Sequence, residues 1–147
     1  MAFNLSSPAF TEGGPIPKDY TCDGADRTLP VAWSGIPDGT AELALIMDDP
    51  DARGFVHWVV VGLPPTATGL DGTSLPAGAR EGRTGFGRAG YGGPCPPSGT
   101  HHYAITLYAL SAPLSVPQTP TADQVRQAAN GQTLAKATLN GTYTRSR

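Results

Sequence analysis

Charge is scarce in this chain, and what the sequence lacks excludes several kinds of partner. Only 15% of the 147 residues are charged, the formal net charge is −2, and lysine and arginine form no cluster. We therefore expect no nucleic-acid partner, because phosphate backbones are held by basic patches. No apolar run approaches the roughly 20 residues that a membrane helix needs. The first 14 residues also lack the basic stretch and apolar stretch of a secretory signal. A cytoplasmic protein without a transmembrane segment is expected.

Cysteine is almost as scarce, since only Cys22 and Cys95 occur. Their separation is far too wide for a zinc ribbon. Two free thiols are the expectation for a cytoplasmic chain. The alternative is a single Cys22–Cys95 bridge, which would join an early loop to a late one.

Glycine and proline, in contrast, are abundant, with 19 and 15 residues. They fall between short apolar runs, which is typical of a loop-rich all-β protein. The length fits one domain, 1–147, with a sizeable core. Five strands are predicted, at Phe3–Ser7, Leu29–Ser34, Ala41–Met47, Val56–Leu63 and His102–Leu110.

One helix is predicted near the C-terminus, in the segment TADQVRQAANG. Thr121 with Gln124 three residues later is a capping-box pattern, and Asn130–Gly131 offers a left-handed C-cap. We expect one or two further helical turns through TLAKA (133–137) before the chain becomes extended again. The strands and this helix together predict a β-sandwich of two antiparallel sheets with a short C-terminal helical element.

A glycine-rich segment, GRTGFGRAGYGGPCPPSGT, resembles a nucleotide-binding motif only superficially. Gly85, Gly87 and Gly90 fit G-x-G-x-x-G, but no strand precedes them and no helix follows. The context that a dinucleotide site or a P-loop requires is therefore missing. We interpret these glycines as points of close backbone approach or positive φ.

All three histidines lie where polar loops lead into predicted strands. His57 follows the cluster DDPD (48–51), and His101 and His102 follow GYGGPCPP. If the two strands share a sheet, Asp49, His57, His101 and Tyr103 meet at one edge. His101 and Tyr103 are two residues apart and face one side, whereas His102 faces the other.

Each of these residues also has a purely structural interpretation. A lone histidine such as His57 on an apolar strand is more often a core residue than a ligand. Asp49 and Asp51 around Pro50 are typical of an Asx-type turn. His101 could simply be exposed at a strand start.

Three kinds of chemistry fit the group. Two histidines and a carboxylate suggest a metal site, although closely spaced ligands are missing. Ser98 near His101 suggests a Ser-His-Asp hydrolase, although the nucleophile-elbow motif G-x-S-x-G is absent. The third is an anion pocket, built from histidines, a tyrosine hydroxyl and loop N–H groups. Only the third needs no additional part.

The same segments carry a family resemblance. DPDA…FVHWVV (49–60) followed by GYGGPCPPSGTHHYAITLYAL (90–110) resembles the phosphatidylethanolamine-binding protein family, in its bacterial and archaeal Raf-kinase-inhibitor-like branch. Residues 16–52 and 131–145 are similar to that branch too. The resemblance implies a β-sandwich of two antiparallel sheets and a non-enzymatic pocket for phosphate-like anions or phospholipid headgroups. It implies neither a metal nor a cofactor.

The resemblance also implies which residues form the pocket. Asp49 matches the first aspartate of the motif and lines the pocket. His57 and His101 match its two histidines, and Tyr103 matches a tyrosine whose hydroxyl reaches the anion.

Other positions are implied to support the pocket. Asp51 matches the second aspartate and braces the loop, and Phe55 matches an aromatic residue at the mouth. Gly93 and Pro94 match the pocket wall. His102 takes a place that arginine usually holds and points away.

Two departures from the family pattern concern the mouth of the pocket. Arg53 replaces a proline, and the loop from Asp49 to His57 is about two residues shorter than is common. Relatives are described as inhibitors, so an interaction with a serine protease or a kinase is the alternative function. The sequence leaves open whether the protein forms a homodimer, and a hydrolase or metalloenzyme is the third hypothesis.

Overall fold

Two antiparallel sheets face each other across one core in the computed structural model, which describes residues 2–145. The smaller sheet has the order β1-β2-β5, and the larger has the order β6-β4-β3-β7-β8. The predicted all-β sandwich is therefore confirmed. The strands are β1 (Asn4–Ser6), β2 (Val31–Ser34), β3 (Glu42–Asp49), β4 (Phe55–Leu63), β5 (Gly69–Leu70), β6 (Arg80–Glu81), β7 (Gly99–Leu110) and β8 (Thr133–Arg145).

Alternation along the central strands divides their side chains between two apolar layers. One face of the large sheet packs against the small sheet, through residues such as Leu45, Trp58 and Ile105. The opposite face carries Ile46 and Val59, which helix α1 (Ala122–Ala129) covers. This arrangement explains why β3 and β4 read as nearly continuous apolar runs: both of their faces are buried.

Helix α1 begins as the sequence predicts and is followed by a long strand, β8, of which the sequence analysis expected only the later part to be extended. Thr121 and Gln124 form a reciprocal capping box, and Gly131 has a φ of 84° after the last turn. The predicted helical continuation through 133–137 is wrong, because this segment begins β8. Buried and exposed side chains alternate along it with the period of a strand, and it pairs with β7 over the full length of that strand.

Candidate functional site

The carboxylate of Asp49 has two partners where β3 ends. One oxygen accepts a hydrogen bond from the backbone N–H of Asp51 at 2.9 Å, which shapes the turn at Pro50–Ala52. The other lies 2.6 Å from Nδ1 of His101. The Asx-type turn and the contact with a histidine are therefore both present. Asp49 is only 3% exposed, so its charge acts where water screens it little.

His57 lies at a β-bulge in β4. Met47 pairs with Trp58 and Asp48 pairs with Val56, so β4 contains one extra residue, His57, at this point. A bulge turns a side chain out of the regular alternation, and bulges are common beside functional sites. The bulge explains how a histidine on an apolar strand faces a cavity although it is 4% exposed.

Two contacts with Gly92 hold His57, one through its ring and one through its backbone. Nδ1 lies 2.7 Å from the carbonyl oxygen of Gly92, and the N–H of Gly92 donates to the carbonyl of His57 at 3.0 Å. Burial lowers the pKa of His57 below 6.5, although the contact with Gly92 and the charge of Asp49 oppose this shift. The ring is therefore neutral at pH 7.

Tyr103 has a buried hydroxyl without a partner among residues 2–145. The residue is 1% exposed, and its ring lies edge-on to that of His57 with the centroids 5.3 Å apart. Burial raises the pKa of Tyr103 above its usual 10, and the charge of Asp49 raises it further. The hydroxyl therefore keeps its proton, and an unpaired buried hydroxyl is costly unless a ligand or water pairs with it.

These side chains line one cavity of about 210 Å³. Its lining consists of Asp49, Ala52, Phe55, His57, Phe86, Cys95, Pro96, Pro97, His101 and Tyr103. Most of this wall is apolar, and the polar groups are concentrated on Asp49, the two histidines and Tyr103. No lysine or arginine belongs to the lining among the residues described.

Aromatic rings form the mouth of the cavity. Phe55 lies edge-on to His57 and to Phe86, with centroids 5.2 and 4.9 Å away. Phe86 is 41% exposed, and Arg88 stacks over its ring at 5.7 Å. The sequence analysis did not assign Phe86 to the site. The available signal was an aromatic residue inside the glycine-rich segment, which also contains Tyr91.

Gly93 and Pro94 do not line the cavity; they lie in the chain between Gly92, which contacts the His57 ring, and Cys95, which lines the cavity. The N–H of Gly93 donates to Asp26 at 2.8 Å, and the carbonyl of Pro94 accepts from the N–H of Cys22 at 3.2 Å. A Cβ at Gly93 would lie 2.0 Å from the carbonyl oxygen of Tyr20, so only glycine fits here.

A disulfide between Cys22 and Cys95 joins the same segment to the loop that contains Cys22. The expectation of two free thiols is therefore wrong, and the alternative bridge is the one observed. The chain folds the early loop against the late one, which brings the two Cα atoms within 5.4 Å, a normal separation for a disulfide. Both cysteines are exposed.

His102 and Asp51 pair with each other outside the cavity. The Asp51 carboxylate accepts from the N–H of His102 at 2.7 Å and contacts its Nδ1 at 2.8 Å. The His102 hydrogen bonds lower the pKa of Asp51. His102 thus lies away from His101 and Tyr103, as the strand alternation predicts, and Asp51 braces the turn rather than lining the cavity.

The residues of the metal-site and hydrolase hypotheses are placed as follows. Within residues 2–145, no group of three or more His, Cys, Asp or Glu side chains is arranged to hold a metal ion. Ser98 is exposed and does not belong to the cavity lining.

None of the helices in the described part of the chain has the length and apolar character of a membrane span.

Comparisons with known proteins give a consistent result. The family model described as phosphatidylethanolamine-binding protein matches residues 6–144. A UPF0098 protein of Methanothermobacter thermautotrophicus is 43% identical, over 97% of this chain and 99% of its own length. The Mycobacterium tuberculosis protein named "Putative lipoprotein LppC" is 44% identical, over 95% of this chain and 71% of its own length.

Two solved structures are similar over almost their whole length. The PEBP homologue CT736 of Chlamydia trachomatis superposes with a TM-score of 0.92 at 37% identity, covering 99% of both chains. YbcL of Escherichia coli, described as a member of the mammalian PEBP family, gives 0.91 at 32% identity, covering 99% of this chain and all of its own.

Proposed function

This chain belongs to the phosphatidylethanolamine-binding protein family, and we propose that its cavity binds a small phosphate-like anion or a phospholipid headgroup without chemical turnover. The proposed contacts are the imidazoles of His57 and His101 and the hydroxyl of Tyr103. Asp49 orients His101 through their 2.6 Å contact. Phe55 and Phe86 exclude water at the mouth.

The observation that carries this proposal is the unpaired hydroxyl of Tyr103. It is buried, lines the cavity and lacks a partner among the described residues. Nearly all buried hydroxyls in native proteins have a partner. A ligand oxygen that accepts from this hydroxyl supplies the missing hydrogen bond.

The direct test is calorimetric titration with phosphoethanolamine. We expect saturable binding to the wild-type protein and at least a tenfold loss of affinity when His57→Ala and His101→Ala are combined. The matched control is His102→Ala, which removes an imidazole outside the cavity and should leave the affinity unchanged. Unchanged affinity in the double variant, with its fold intact by circular dichroism, would refute the proposal.

Inhibition of a serine protease or a kinase stays a prediction from the resemblance, as does a homodimer. The cytoplasmic location also stays a prediction. Two observations do not favour this location. A disulfide persists best in an oxidising compartment, and one relative is named as a lipoprotein.

A further inference from the structure

We infer that the cavity recognises a phosphate monoester in its singly protonated form, with the ligand's own P–O–H group donating a hydrogen bond to Nε2 of His57. This inference rests on the proposed function and narrows it to one ligand class. A phosphodiester, which has no such hydrogen, is then the weaker ligand.

The tautomer of His57 leaves one of its ring nitrogens free to accept a hydrogen bond. A carbonyl oxygen can only accept, so the 2.7 Å contact between Nδ1 and the carbonyl of Gly92 requires the hydrogen on Nδ1. The neutral ring therefore carries a lone pair on Nε2. Nε2 has no hydrogen-bond partner among the described residues. The side-chain atoms that lack both a partner and contact with solvent do not include Nε2, so a ligand can reach it. Nε2 is thus an accessible acceptor in the lining of the cavity.

His101 is fixed in the same way by a different partner. The carboxylate of Asp49 accepts the hydrogen on Nδ1 at 2.6 Å, so Nε2 is the ring nitrogen of His101 that is left for a ligand. The Nε2 lone pair of His57 and the carboxylate of Asp49 are therefore acceptors in the same cavity as the hydroxyl donor of Tyr103. This set repels a fully ionised phosphate, which offers only acceptors and two negative charges.

The charged groups around the rings do not reverse this preference. Asp26 lies behind Gly93 and adds a second negative charge near His57, while Asp51 and His102 pair outside the cavity. Two arginines that contact residues of the lining are engaged by other groups.

Arg88 stacks over Phe86, and Arg145 pairs with Asp23 at 3.0 Å and donates to the carbonyl of Pro96.

Protonation states complete the argument. Burial lowers the pKa of His57, which favours the form in which the shared hydrogen is on the phosphate rather than on the ring. Tyr103 keeps its proton and donates to another phosphate oxygen. The singly charged monoester supplies one donor and several acceptors, which matches the cavity.

The test compares methyl phosphate with dimethyl phosphate, a pair that differs in the P–O–H group and carries no amine. Because the second pKa of a phosphate monoester is about 6, its singly protonated fraction falls about 50-fold between pH 6 and pH 8. We expect the affinity for methyl phosphate to fall by about that factor. Dimethyl phosphate should bind weakly at both values. At pH 8, the ³¹P shift of bound methyl phosphate should be that of the monoanion.

Three outcomes would overturn the inference. If both ligands lose affinity equally with pH, the rings take up the proton instead. If methyl phosphate binds equally at pH 6 and pH 8, no proton is involved. If glycerophosphoethanolamine binds as tightly as methyl phosphate without pH dependence, its ammonium group supplies the hydrogen. In each case the proposed anion site would stand, whereas absence of binding at pH 6 would refute both proposals.

A pair of variants assigns the effect to His57. Glutamine can both donate and accept, so His57→Gln should reduce the 50-fold dependence on pH to a few-fold. His102→Gln removes a histidine outside the cavity and should leave the dependence unchanged. A full dependence in His57→Gln would contradict the assignment.

Discussion

Tyr103 carries a hydroxyl that the fold buries without a hydrogen-bond partner among the described residues. Removing such a hydroxyl costs the folded protein little, because no internal hydrogen bond is lost. We therefore expect the free energy of unfolding of Tyr103→Phe to lie within about 0.5 kcal/mol of the wild-type value or above it. Its affinity for phosphoethanolamine should fall about 3- to 10-fold, the value of one hydrogen bond.

The measurement for Tyr103→Phe is a pair of experiments, urea denaturation and calorimetric titration. Tyr108→Phe is the matched control, since Tyr108 lies on the opposite face of β7 and contacts Lys136. A large loss of stability in Tyr103→Phe with unchanged affinity would show that the hydroxyl has a structural partner instead.

His57 makes stability depend on pH in a defined direction. Its folded pKa lies below 6.5 because of burial. As the pH falls through 6.5, the unfolded chain binds a proton that the folded ring does not, so stability is complete above 6.5 and declines below it. We expect a loss of at most about 1.4 kcal/mol per pH unit between pH 7 and pH 5.

Urea denaturation at pH 5, 6 and 7 measures this dependence. Comparison of the wild type with His57→Gln isolates the contribution of this ring, and His102→Gln controls for an exposed histidine. Identical pH dependence in the wild type and His57→Gln would contradict the account.

At the scale of elements, the capping box of α1 should stabilise the helix without affecting the cavity. Thr121 accepts from the N–H of Gln124, and the Gln124 side chain accepts from the N–H of Thr121. Thr121→Ala should cost about 1 kcal/mol of stability. It should leave phosphoethanolamine affinity unchanged, because α1 covers the face of the sheet opposite the core between the sheets.

Chemical denaturation and titration of Thr121→Ala measure the two effects. Thr119→Ala, at an exposed loop position just before the helix, should change stability by less than about 0.5 kcal/mol. Equal effects of the two substitutions would show that the capping box contributes nothing.

Local sequence patterns predicted those strands and the helix whose own residues indicate their conformation. Alternation and apolar runs located β3, β4 and β7 within three residues of their ends, and the capping box located α1. The first part of β8 was missed because its small and polar residues have modest preferences, and pairing with β7 decides its conformation. The bulge at His57 was likewise not predictable, because it arises from the register of two strands.

The same distinction between local sequence signals and features decided by the fold applies to the residues of the site. The motifs and the resemblance indicated Asp49, His57, His101 and Tyr103, which the fold brings into one cavity. Phe86 was missed because an aromatic residue among glycines gives no signal of where its loop folds. Gly93 was identified, but its tight approach to Tyr20 is a property of the folded chain.

At the scale of the molecule, the disulfide connects two distant parts of the chain at the cavity wall. It joins residues 73 positions apart, and a loop of that length corresponds to about 4 kcal/mol in the chain-entropy description. We expect the combined Cys22→Ser and Cys95→Ser variant to lose stability of that order. Its affinity for phosphoethanolamine should also fall, because Cys95 and the following prolines line the cavity.

Thermal unfolding with and without dithiothreitol checks this prediction. The reductant should destabilise the wild type and leave the double variant unchanged. A double variant that is as stable as the oxidised wild type would show that the bridge adds nothing to the contacts around it.

The central claim is that one cavity binds a small anion through His57 and His101. The most direct measurement is an NMR titration of the three histidine ring signals with phosphoethanolamine at pH 6, with and without zinc. We predict saturable shifts at His57 and His101, none at His102, and no effect of zinc. Rings that ignore the anion, or that respond only to zinc, would contradict the claim.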